Sequence, residues 1–100
     1  MQNDVLGEIV VGKKFRCTIN TSASSDSIRT FLGLNAAGII QISFADSINL
    51  LFLARDRHWE KNQNKVIEVT IGQNFSMYRT TRLGLVLGGC MEKIEPVINE

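Results

Sequence analysis

Excess charge is what this sequence most lacks. Eleven Lys and Arg stand against ten Asp and Glu, a formal net charge of +1, so a strongly basic nucleic-acid module is excluded as the default reading. Proline is nearly absent: Pro96 is the only one. With no Gly/Ser linker or sustained charge run to mark a boundary, residues 1–100 are expected to form a single domain. Long apolar runs are missing too. The longest uncharged apolar stretch, Leu83 to Met91, falls far short of the roughly 18 to 20 residues that cross a bilayer, and no membrane span is expected. Two cysteines, Cys17 and Cys90, do not make a disulfide framework, and a single bridge or two buried thiols both remain open. The opening Met1-Gln2-Asn3-Asp4-Val5 has neither the basic nor the apolar region of a secretory signal. That reads as a cytoplasmic chain, or as an exported one whose leader was removed.

Hydrophobic residues make up 44% of the chain and charged residues 21%, enough apolar surface to offset chain entropy in a small globular domain. Alternation dominates the first eighty residues. Phe15, Cys17 and Ile19 alternate with Arg16, Thr18 and Asn20, the pattern of a half-buried strand. Val5 to Val11 reads as a shorter one. Thr21 to Ser27 is rich in turn-forming Ser, Thr and Asp, after which Ile28, Thr30, Leu32 and Leu34 predict a second, central strand. Asn35 to Gly38 predicts a hairpin turn into a returning strand, Ile39 to Phe44. Ile48 to Ala54 fits a buried strand, with helix as its rival. Lys65 to Ile71 and Phe75 to Arg79 predict a hairpin across Gly72-Gln73-Asn74. After Thr81 the period changes: Leu83, Val86, Leu87, Cys90, Met91 and Ile94 recur at helical spacing until Pro96. The expected fold is mainly β within the α+β class: a single small antiparallel sheet, sandwich or partly closed barrel, with one C-terminal helix.

No motif carries a specific chemistry. Neither GxSxG nor a P-loop occurs, and the single histidine, His58, has no nucleophile near it in sequence. Cys17, Cys90 and His58 lack the paired spacing of a zinc site. Neither metal nor cofactor is expected, and no catalytic residue is assigned. Charge is unevenly spread, however. Residues 13–90 hold ten bases and five acids, while each end is net acidic. Within that basic middle, Arg55, Arg57, His58, Trp59 and Lys61, joined by Arg79 and Arg82 if strands 65–71 and 75–79 pair, predict a binding surface. Arg, Trp and Tyr are the residues that dominate interface hot spots.

The run Leu50 to Leu53, Trp59 and Val66 to Ile71 is similar in outline to small strand-rich proteobacterial proteins, often exported. Strand, Trp, strand is a pattern that any antiparallel sheet produces, so no residue role is carried over. The leading functional expectation is a small non-enzymatic protein-interaction module of the inhibitor, immunity or assembly type, with another protein as partner and homo-oligomers through open sheet edges. A nucleic-acid-binding β domain is the first alternative. A small enzyme using His58 is the second.

Overall fold

In the computed structural model, which describes residues 7–98, Lys14–Ile19 form a strand (β1) with Phe15, Cys17 and Ile19 buried and Lys14 and Arg16 exposed. Val66–Ile71 (β3) repeats that alternation with Ile67, Val69 and Ile71 inward. The two pair antiparallel, with Phe15 opposite Val69 and Cys17 opposite Ile67. Ile40–Gln41 (β2) joins the far side of β3 and Met91–Pro96 (β4) the far side of β1, giving one antiparallel sheet in the order β2-β3-β1-β4.

Three helices cover the inward face: Ser25–Ala36 (α1), Phe44–Asp56 (α2) and Thr80–Cys90 (α3). Contact runs from α1 to both α2 and α3, so α1 is central. Their buried residues, Ile28, Phe31, Leu50, Leu53, Leu83 and Leu87 among them, share one core with the strands. The other face of the sheet is open to solvent, with Lys14, Arg16 and Glu68 on it.

The mainly β expectation is therefore wrong, as are the sandwich or barrel and the single C-terminal helix. This is an α+β fold, three helices on one open four-stranded sheet. Each misread segment has a physical reason. Residues 28–34 satisfy two periods at once, and burial of Ile28, Phe31 and Leu34 beside exposed Thr30 selects the helical one. Ser24, read within a turn, and Ser43, read within a strand, are helix caps. The Ser24 hydroxyl accepts from the Ser27 N–H at 3.0 Å, and the Ser43 hydroxyl accepts from the Asp46 N–H at 3.1 Å. Phe75–Met77 is a single 3-10 turn, so the hairpin expected from Phe75 to Arg79 does not form. In β4 the register shifts between Thr18 and Ile19, placing Ile94 opposite Cys17 but Met91 opposite Ile19. The extra residue separates two inward positions by three, which imitates helical spacing. Of the early strand expected at Val5 to Val11, Val5 and Leu6 lie outside the described residues, and residues 7–11 form no strand.

Both thiols are free and buried. Burial pushes Cys17 up to about 12 and Cys90 up to about 11. Cys90 Sγ donates to the Ser27 carbonyl at 3.1 Å, tying the end of α3 to the start of α1.

Candidate functional site

α2 is built to be apolar on two opposite sides. One side supplies Leu50, Leu53 and Ala54 to the core. On the opposite side Phe44 is 79% exposed, Phe52 48% and Leu51 37%, with half-buried Ile48 between them. Phe44, Ile48 and Phe52 are four residues apart, so they form one ridge along the helix. No hydrophobic patch of comparable size is needed to fold a helix that already buries its inner face.

The helix ends where Arg57 takes a left-handed conformation, φ 54°, with its N–H donated to the Leu53 carbonyl at 3.0 Å. Its guanidinium folds back on the start of α1. It donates to the carbonyls of Ala23 at 2.8 Å and Thr21 at 3.1 Å, and to the Ser25 hydroxyl at 3.1 Å. The Ser25 hydroxyl in turn donates to the Ala54 carbonyl at 2.7 Å. Arg57 is thus a clamp between α1 and α2, engaged inside the fold rather than offered to a partner.

Beyond it the chain from His58 to Gln63 folds alongside α2 and encloses an open cleft of about 630 Å³. Asn49, Phe52 and Asp56 form the helix wall; His58, Glu60 and Gln63 form the loop wall. His58 Nε2 lies 3.2 Å from Glu60 Oε2, both side chains well exposed. Trp59 is half-buried against the core, its indole N–H donated to the Gln63 carbonyl at 3.4 Å. The cleft's polar rim therefore carries two carboxylates and an imidazole around the Phe52 ring. A second depression, of about 190 Å³, lies between α1 and α3 and is lined by Ser27, Thr30, Leu85, Val86 and Gly89.

The residues expected to act together do not all meet. Arg55 and Lys61 are exposed and flank the outer face of α2 and its cleft, with His58 and Trp59 between them in sequence. Arg79 and Arg82 sit at the start of α3. That helix begins beyond the C-terminal end of β3, whereas the 57–65 loop enters β3 at its N-terminal end, so the two groups lie at opposite ends of the sheet. The side chains missed are Phe44, Leu51 and Phe52. The signal for them was the run Ile48 to Ala54, apolar at every position but Asn49.

Nothing matches. Comparison with protein-family models, with curated proteins and with solved structures finds no counterpart of this chain. The outline similarity drawn from Leu50 to Leu53 rests on a segment that is helix α2, not strand. Among the described residues, no group of three or more His, Cys, Asp or Glu could hold a metal ion. No helix there is long and apolar enough to cross a membrane.

Proposed function

We propose that this chain is a non-catalytic protein-interaction domain whose binding face is the outer side of α2 with the adjoining cleft. The observation that carries this reading is the exposure of Phe44, Leu51 and Phe52 on a helix whose opposite side already fills the core. A contiguous apolar ridge bordered by Arg55, Asp56 and His58 has the make-up of an interface centre inside a polar rim. Arg55 and Lys61 then serve at that rim, where charges set association rate and salt sensitivity. His58 belongs to the cleft wall, paired with Glu60, while both thiols are buried and held protonated far from neutral pH.

A photo-crosslinking phenylalanine analogue at position 52, compared with one at Arg16 on the open sheet face, tests the reading in cells that make the protein. Adducts with polypeptide from position 52 but not from position 16, abolished by Leu51→Glu, are expected. Equal adducts from both positions, or none from 52, would refute it.

A further inference from the structure

Two features of α2 are complementary to each other. At its N-terminal end Phe44 projects as a knob, 79% exposed. Near its C-terminal end the cleft of about 630 Å³ opens beside Phe52 and Asp56. One molecule cannot bring its own knob to its own cleft, because both are fixed on one rigid helix. A two-fold rotation about an axis perpendicular to that helix brings each knob to the other's cleft. The positions Phe44, Ile48, Phe52 and Asp56 fall opposite one another under that rotation, since they are evenly spaced by four residues. Phe44 then faces Asp56 of the second copy, and Ile48 faces its Phe52. Interdigitated ridges of four-residue spacing are the commonest way helices pack, and an isologous two-fold contact is the commonest homo-oligomer.

Resting on the reading of α2 as a binding face, we infer that its occupant is a second copy of this chain, packed antiparallel across the Phe44-to-Asp56 ridge with each Phe44 in the other's cleft. The antiparallel arrangement brings Asp56 and Glu60 to the N-terminal end of the other α2, where the helix dipole favours carboxylates and Asp46 of the first turn offsets that attraction. The area agrees with a weak dimer. A covered aromatic side chain buries on the order of 150–250 Å². At 79% and 48% exposure, the four rings of the pair therefore hide roughly 500 Å². With so small an apolar centre the contact belongs to the weak, transient class, below the ~1,200 Å² of a stable interface. The sheet edge is the poorer route, because β4 carries Glu92, Lys93 and Glu95 and ends at Pro96.

Sedimentation velocity on the full chain from ~1 to ~500 µM, the window of weak micromolar association, should show a monomer passing into a dimer. Phe44→Asp should raise the dissociation constant at least about tenfold while leaving the thermal melt in place, since the ring touches little in the monomer. Register is read by disulfide trapping. A mixture of Phe44→Cys and Asp56→Cys chains should cross-link between unlike chains, and neither variant should cross-link efficiently alone. The buried native thiols stay out of the reaction. A chain that stays monomeric to the highest concentration, a dimer indifferent to Phe44→Asp, or a Phe44→Cys chain that bridges mainly to itself would each overturn the inference. Adducts from position 52 to a different polypeptide, with this chain monomeric, would sink the self-pairing and leave the binding face standing. Absence of all such adducts would remove both.

Discussion

The same substitution, glycine to alanine, should have opposite signs at Gly72 and Gly33, because the two backbones meet different surroundings. Gly72 is buried just after β3, where the chain passes over the Gly38 turn. A Cβ there would stand 2.3 Å from the Gly38 carbonyl oxygen and 3.2 Å from the carbonyl carbon of Ile39. Those are backbone atoms with no rotamer to give way. The Gly72 N–H donates to the Ile39 carbonyl at 2.9 Å, and the Asn74 N–H donates to the Gly38 carbonyl at 3.0 Å. Separating the strands enough to admit the methyl therefore loosens both bonds and the short β2–β3 pairing. Overpacking costs about 1–3 kcal/mol, and the two bonds, loosened rather than lost, add about 1 kcal/mol together, so Gly72→Ala should lose about 2–4 kcal/mol. With about 4–8 °C of melting temperature per kcal/mol in a domain this size, the midpoint should fall by roughly 10–30 °C. At Gly33, on the exposed side of α1, nothing lies within 4 Å of the added atom. Alanine's helix propensity should there add up to about 1 kcal/mol. Urea titrations followed by circular dichroism measure both. A loss under about 0.5 kcal/mol at Gly72, or destabilisation at Gly33, would refute the packing argument.

Arg57→Ala should cost about 1 kcal/mol in the same assay, a modest figure because the guanidinium is partly solvated. Arg57→Lys should recover little of it, since a single ammonium cannot span the Thr21, Ala23 and Ser25 acceptors at once. Removing either cap, Ser24→Ala or Ser43→Ala, should cost about 0.5–2 kcal/mol, and the two losses should add because they cap different helices. Stability should fall as pH rises above 9. The thiols of the unfolded chain ionise near 9.0 while those of the fold hold their protons to about 12 and about 11, so the folded state binds more protons across that window. Cys17→Val should flatten the decline, which chemical denaturation at pH 8, 9.5 and 10.5 would read.

How much of this fold was legible in the sequence follows from how many environments each segment faces. β1 and β3 each have one wet side and one dry side, so alternation from Phe15 to Ile19 and from Ile67 to Ile71 identified them and their inward residues. α1 was misread because Ile28, Leu32 and Leu34 all fall on alternate positions, as on one face of a strand. Only the burial of Phe31, an odd-numbered partner in a strand and a core residue in a helix, separates the two readings. β4 was misread because a bulge is a property of a pairing, invisible until β1 lies beside it. Of the glycines in α3, Gly89 approaches Ser27 of α1 and Gly88 faces open space.

The site was half legible for a related reason. Charge and aromatic content drew attention to Arg55 to Lys61, and that segment does border the outer face of α2, but Phe44 was read as the end of one strand and Leu51 and Phe52 as part of a buried one. A run such as Ile48 to Ala54 supports two inferences when it is helical. Either the helix is surrounded by protein on all sides, or part of it is covered by something outside the chain. Position in the helix layer decides between them. A central helix would have had neighbours on both flanks, yet it is α1, with its polar Arg29, Thr30 and Gly33 outward, that occupies the centre. α2 stands at the side of the layer with α1 as its packed neighbour. The helix with the more apolar surface has been given the more exposed place, which is unfavourable for the isolated monomer and favourable for a complex. That inversion is the physical content of the proposed interface, and it predicts that a polar residue at Phe44, 79% exposed, raises solubility while leaving the stability of the monomer within about 0.5 kcal/mol of the original.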